Sequence, residues 1–209
     1  GAALQGTLRI SATVDHVAQS LAPLIVRFAA AHPALQIDLR TSDRVTDLVG
    51  EGIDVAIRLG WLRDSSLHAT RLGEQYVVAA PGYLARAGTP TEPQALAQHA
   101  WVALTLLRAP LTWRFTRADA PGVAQTVRLQ ARLRCDATSA VHALVDSGAG
   151  ISVLDALSAA EGLRSGRLVR LLPEWQLERG GIYAVYAPGV QVAPKVRAFV
   201  DFCAQTLSA

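Results

Sequence analysis

Three places where a strand-like run gives way to a helical stripe hold the residues best suited to grip a ligand. They are Val14 to His16, Thr41 to Asp43 with Ser42 between them, and Asp136 to Ser139, which includes Thr138 and Ser139. A helix that starts beyond the carboxyl end of a strand presents free N–H groups and a positive dipole end, which suits an anionic ligand. The chemistry is reversible binding. Ser, Thr and Asp are also ordinary helix N-caps, so spacing alone leaves capping and binding both open.

No bond-breaking constellation competes with that reading. The chain has no G-x-S-x-G elbow, phosphate loop, H-E-x-x-H site or strand-borne G-x-G-x-x-G. Gly148-Ala149-Gly150 follows a helix and reads as its C-cap and the turn into the next strand. His16, His32, His68, His99 and His142 show no i, i+4 pairing and no acidic partner at helical spacing. Cys135 and Cys203 have no metal-like spacing and read as two reduced, packed thiols. No catalytic residue, metal or cofactor is expected, and the chain is not expected to be an enzyme.

Composition bounds the class. With 51% apolar and 18% charged residues, 209 residues can bury a sizeable core as one large domain or two small ones. No run of about 18 apolar residues and no signal-like segment is present, so the expected location is cytoplasmic, with no membrane partner. The chain lacks Met, and Gly1 to Leu4 read as a cut point or tag remnant of an excised fragment. The net charge is +3 and Lys195 is the only lysine. Because Arg9, Arg27, Arg58, Arg86, Arg134 and Arg197 are scattered among acids, the charge argues for solubility and not for DNA contact.

The elements that position the junctions follow from periodicity. Leu8 and Ile10 alternate in TLRISA, and Val17, Leu21, Leu24, Ile25 and Phe28 then form one stripe that His32-Pro33 stops. LQIDLR and IDVAIRLG are strands flanking a helix that carries Val45, Leu48 and Val49, and they are expected to pair in parallel through a right-handed crossover. HATRL and QYVVAA follow, and Pro81 ends that run.

Beyond Pro81 the texture changes. PGYLARAG is a short helix, and TPTEPQALAQH restarts with Thr91 and Gln94 at capping-box spacing. WVALTLL (101 to 107) reads as a buried strand, and 111 to 117 with 123 to 133 as a hairpin. A second strand-helix-strand block covers Cys135 to Leu172, with a helix over 138 to 147 and strand ISVL. IYAVYAP is a last strand. The helix from Pro194 carries Val196, Phe199, Val200, Cys203 and Leu207 on one stripe and should pack back on a sheet. Two α/β sets and a returning chain imply two lobes that bind a ligand between them.

GTLRISA, FAAAHPALQIDLRTSDRVTDLVGEGIDVAIRLGWLRDSSLHATRLG, APGYLARAGTPTEPQALAQHAWVAL, TWRF, SGAGISVL, GRLVRLLPEW and KVRAFVDF together resemble the effector-binding domain of LysR-type transcriptional regulators over nearly the whole chain. The segment DLVxEGxDVAIRLG followed by DSSL is highly characteristic of one large subgroup. The resemblance implies an α/β fold of the type 2 periplasmic-binding-protein kind, two Rossmann-like lobes joined by two crossover strands near Gln75 to Ala79 and Gly181 to Tyr183. Lobe I would be 1 to 77 with 182 to 209, and lobe II 78 to 181.

It also implies a small-molecule effector in the interlobe cleft. By alignment the effector positions fall on Val14, Asp15, His16, Thr41, Ser42, Leu59, Gly60, Trp61, the loop with Thr105 and Arg108, and Thr138 with Ser139. DNA would be contacted only through a winged helix-turn-helix that is absent from these residues. The family's head-to-tail homodimer, or a tetramer at full length, would use helices 17 to 31 and 155 to 164. Where the subgroup commonly has a small hydroxyl, an aromatic and Gly, this chain has Asp15, His16 and Val17. Asp15 at that mouth disfavours a carboxylate ligand unless it is the N-cap, and a protonated His16 would favour one. A transport-type solute-binding protein shares the fold and is the alternative. Val55→Asp is expected to unfold lobe I, and Ser42→Ala to spare folding while weakening the ligand response.

Overall fold

A computed structural model of the chain describes residues 2–41, 48–60, 67–177, 180–187 and 191–208. In chain order its elements are β1 (Gly6–Ala12), α1 (Val14–His16), a π-turn (Val17–Leu21), α2 (Ala22–Ala31), β2 (Leu35–Thr41), β3 (Val55–Leu59), β4 (His68–Gly73) and β5 (Gln75–Ala79). Then come α3 (Pro81–Ala87), a 3-10 helix (Pro93–Gln98), β6 (Val102–Leu104), β7 (Thr112–Arg117), β8 (Ala124–Arg128), β9 (Leu133–Cys135) and α4 (Thr138–Asp146). The last are β10 (Ile151–Asp155), α5 (Ala156–Ser165), β11 (Val169–Leu171), β12 (Trp175–Leu177), β13 (Ile182–Tyr186) and α6 (Pro194–Leu207).

The chain divides into two compact units. Unit 1 is Gly1–Gly73 with Gly181–Ala209, and unit 2 is Glu74–Gly180. Unit 1 holds a five-stranded sheet in the order β2-β1-β3-β13-β4. β1 pairs in parallel with both β2 and β3, and β13 runs antiparallel between β3 and β4. This corrects the simplest βαβ expectation. The strands LQIDLR and IDVAIRLG are parallel but not neighbours, because β1 lies between them and buries Leu8 and Ile10 completely.

One helical layer of unit 1 is α2 with α6. Phe28 meets Phe199 edge to face at 5.1 Å and Phe202 at 5.4 Å. A separate apolar cluster joins Leu48 and Ile53 to Ala56 of β3 and Val185 of β13. The expected helix of residues 17–31 starts earlier, at Val14, and is widened over Val17–Leu21. Pro23 explains the widening. It has no N–H to give the carbonyl four residues back, and its ring crowds that carbonyl, so the Ala22 N–H reaches Val17 instead.

Unit 2 pairs β5 antiparallel with β10 and β11, and β7 antiparallel with β8 and β12. β6 and β9 run parallel. Trp101, Phe115, Val127, Ile151 and Trp175 fill one core cluster, and Val78, Val102, Val141 and Val145 a second. WVALTLL forms a strand only over Val102–Leu104 before turning. The capping-box segment is a 3-10 helix whose N-cap, Glu92, makes no side-chain cap. Pro93 at its start and the short span to His99 limit it to six residues, two 3-10 turns.

Candidate functional site

In unit 1 the carboxyl ends of β1, β2 and β3 lie along one edge of the sheet, because the three strands run parallel. The register pairs Ala12 with Thr41, so the entry to α1 stands beside the end of β2. Thr13 is the N-cap of α1, its Oγ1 accepting the His16 N–H at 3.1 Å. Asp15 is therefore not the cap; it sits half-buried in the first turn, where a carboxylate meets the positive end of the helix. Val14 is 58% exposed and the His16 side chain only 1% exposed, so the ring belongs to the interior.

Leu59 ends β3, and Gly60 follows at φ +84° with its N–H donating to the Gly181 carbonyl at 3.0 Å. That φ favours glycine at the point where the chain leaves the sheet. Ser42 and Trp61, with most of the helix expected after Thr41, lie outside the described residues. The described unit-1 candidates, Val14 to His16, Thr41, Leu59 and Gly60, thus fall at one sheet edge.

In the sequence, Arg58 at this edge stands out only as one of the arginines scattered among acids. It is half-buried one residue before the end of β3, and its Nη2 donates to Oγ of the fully buried Ser11 at 3.3 Å. Burial pushes its guanidinium below the usual arginine range. The available signal was an arginine inside the otherwise apolar run IDVAIRLG.

In unit 2 the Thr105 N–H donates to the Cys135 carbonyl at 2.9 Å and extends the parallel β6–β9 pairing by one residue. Thr105 thus stands beside the strand that leads through Asp136 into α4, which Thr138 and Ser139 open. Its N-cap is Ala137, which has no side-chain acceptor, so neither Asp136 nor Ser139 caps this helix. Thr105 and Arg108 are exposed; Thr138 and Ser139 are half-buried.

Unit 2 also holds a polar chain that sequence reasoning missed. The buried Tyr83 hydroxyl accepts the Ala100 N–H at 3.1 Å and lies 2.7 Å from His99 Nδ1. Tyr83 thus ties the Ala100 backbone and the His99 ring into one hydrogen-bonded chain. Burial pushes the His99 pKa below the usual histidine value. Neither Cys135 nor Cys203 is in a disulfide, and burial pushes the Cys203 thiol up to about 12. Among the described residues no group of three or more His, Cys, Asp or Glu is placed to hold a metal ion, and no helix is long and apolar enough to cross a membrane.

The family profile described as LysR substrate binding domain matches residues 1–208. The HTH-type transcriptional regulator PtxR of Pseudomonas aeruginosa is 42% identical over 198 residues, which cover 94% of this chain and 62% of that protein. The HTH-type regulator CrgA of Neisseria meningitidis is 30% identical, covering 97% of this chain and 68% of the relative. The solved CrgA regulatory domain matches with TM-score 0.74 at 28% identity, over 98% of this chain and all of that one. Full-length AphB of Vibrio cholerae matches with TM-score 0.71 at 28% identity, over 98% of this chain and 69% of AphB. The chain spans about three-fifths of the length of the first of these relatives.

Proposed function

We propose a function from one established premise: the chain belongs to the LysR substrate binding domain family, the effector-binding domain of LysR-type regulators. It senses a small-molecule effector and, within a longer protein, relays that binding to a DNA-binding segment in the cytoplasm. The family's members are transcriptional regulators, which are not enzymes in general, and this chain is proposed to turn nothing over. The named relatives are regulators, which supports this reading over the transport-type alternative.

The observation that carries the proposal is the register Ala12 to Thr41, which gathers the α1 entry and the end of β2 at one carboxyl edge. Val14, Asp15, Thr41, Leu59 and Gly60 of unit 1, and Thr105, Arg108, Thr138 and Ser139 of unit 2, are the proposed contacts, with Ser42 and Trp61 carried forward from the sequence; His16, buried and with its backbone N–H held by Thr13, is set aside. Asp15 and Arg58 give the unit-1 edge both signs of charge, so a zwitterionic or mixed polar effector suits it as well as a plain anion. The effector shifts the population of a two-state regulator by its differential affinity for the two states.

The test is a thermal-shift panel of metabolites on the purified chain, followed by Thr41→Ala with whichever compound gives the largest shift. Binding raises Tm by mass action. Thr41 is exposed, so its substitution should leave the unliganded Tm within a degree or so while weakening binding by about tenfold, one lost hydrogen bond's worth. A panel without a single shift overturns the sensor reading.

The homodimer through residues 17–31 and 155–164 is proposed on a separate observation. Val26 on α2 is 66% exposed, an apolar side chain left for a partner surface. Val26→Asp should convert a dimer to monomer in sedimentation at unchanged Tm. A sample that is monomeric to begin with defeats this assignment.

A further inference from the structure

Residues 101–135 hold six arginines and one carboxylate, Asp119, for a local charge of +5 against +3 for the whole chain. Outside this stretch the chain is therefore net acidic. The net positive charge of the chain is thus concentrated in one part of unit 2. Arg117 is consumed locally, bound to Asp119 at 2.9 Å and stacked over Trp175. Arg108 belongs to the proposed effector loop. The other arginines of the stretch, Arg114, Arg128, Arg132 and Arg134, are all exposed, and Arg114 has interactions of its own.

Their placement is ordered. In the β7–β8 pair, Arg128 is opposite Thr112 and Arg114 opposite Thr126, so these four residues share one face of the hairpin. Val127 and Leu129 are buried beyond this face; the chain then bends at Arg132, where Arg132, Leu133 and Arg134 are exposed in succession and Arg134 Nε donates to the Ala131 carbonyl at 3.3 Å. Two exposed arginines elsewhere do meet carboxylates: Arg40 meets Asp38 at 2.8 Å, and Arg167 meets Glu161 at 3.4 Å. Among the described residues no carboxylate pairs with Arg128, Arg132 or Arg134.

We propose that these exposed arginines of unit 2 contact the phosphate backbone of duplex DNA, adding sequence-independent affinity to whatever the DNA-binding segment of the full-length protein supplies. Arginine forks fit phosphate oxygens, and Thr and Gln are the usual neutral companions in such contacts. An acidic protein partner fits less well. Protein interfaces centre on aromatic or aliphatic anchors, and the hairpin face between Arg114 and Arg128 carries only Thr112 and Thr126. The inference takes from the proposed function only that the full-length protein sits on DNA.

The experiment is fluorescence anisotropy of a labelled duplex of arbitrary sequence with this chain, titrated over a salt series. The double variant Arg128→Gln, Arg132→Gln should reduce the slope of log K against log salt by about one per arginine and weaken binding roughly tenfold per arginine near 50 mM salt. The charge-matched variant Arg40→Gln, Arg197→Gln should bind as the parent does, because both side chains are exposed outside unit 2. No duplex binding by the parent, equal losses in the two double variants, or tighter binding of polyglutamate than of duplex would each overturn the proposal. The metabolite thermal shift run on the same proteins is independent: if it persists while duplex binding fails, the sensor reading survives and this inference does not.

Discussion

His99 shows how a single side chain ties this fold to pH. Its Nδ1 lies 2.7 Å from the Tyr83 hydroxyl, which also accepts the Ala100 N–H. Burial lowers the folded-state pKa of His99 below the unfolded value of about 6.5. The fold thus prefers neutral His99. Its contribution is fully present above pH ~6.5 and is lost as pH falls through that value toward the folded pKa, since the unfolded chain then binds more protons. Tyr83→Phe removes both bonds and leaves the Ala100 N–H without its partner, a cost of about 1–2 kcal/mol at neutral pH. Chemical denaturation at pH 7.5 and at pH 5.5 checks this: the parent should lose more stability on acidification than His99→Gln does. Equal losses would detach the pH response from His99. None of this was readable in sequence, where Tyr83 and His99 are sixteen residues apart and His99 looked like any isolated histidine. The Thr13 cap was missed for a related reason, because Asp15 is an equally good capping residue and only backbone geometry separates them.

Elements were more readable than their pairings. The strand and helix periods came through because each buries one face: Leu8 and Ile10 in β1, Phe28 in α2, Val196, Phe199, Val200 and Cys203 in α6. Val55, expected to be core, is fully buried. Strand neighbours did not come through, since nothing local tells β2 that β1, and not β3, lies beside it. Nor did the π-turn, which needs Pro23 to act inside a helix that tertiary packing holds together. At the start of β13, geometry makes a sharp demand. Gly181 sits at φ +98°, and a Cβ there would lie 2.2 Å from the Gly73 carbonyl oxygen, with backbone on the other side of the clash. Its own carbonyl also accepts the Gly60 N–H. Gly181→Ala should therefore cost about 2–4 kcal/mol from the φ penalty and the overlap together. Gly82→Ala, where nothing lies within 4 Å of a built Cβ, is the control and should be near neutral. Urea midpoints of the two variants decide between a backbone that must be glycine and one that merely is.

The two units differ in how the chain builds them, and that difference sets their autonomy. Unit 2 is continuous from Glu74 to Gly180, with its clusters around Phe115 and Val102 assembled from that stretch alone. Unit 1 is discontinuous, and its sheet order places the returning β13 between β3 and β4. Without residues 181–209, β3 loses a neighbour and β4 loses β13, its one strand partner among the described residues, while Phe28 loses both Phe199 and Phe202. A fragment of residues 74–180 should fold alone and melt cooperatively, at a size where a single domain of roughly 100 residues is ordinarily two-state. A fragment of residues 1–73 should not, because the unpaired strands and the stripped face of α2 leave too little buried apolar area to offset chain entropy. Adding a peptide of residues 181–209 should restore its helical circular dichroism and a melting transition. A cooperative melt of 1–73 by itself would mean that β13 and α6 only decorate a sheet already complete, and the return of the chain would lose its structural role.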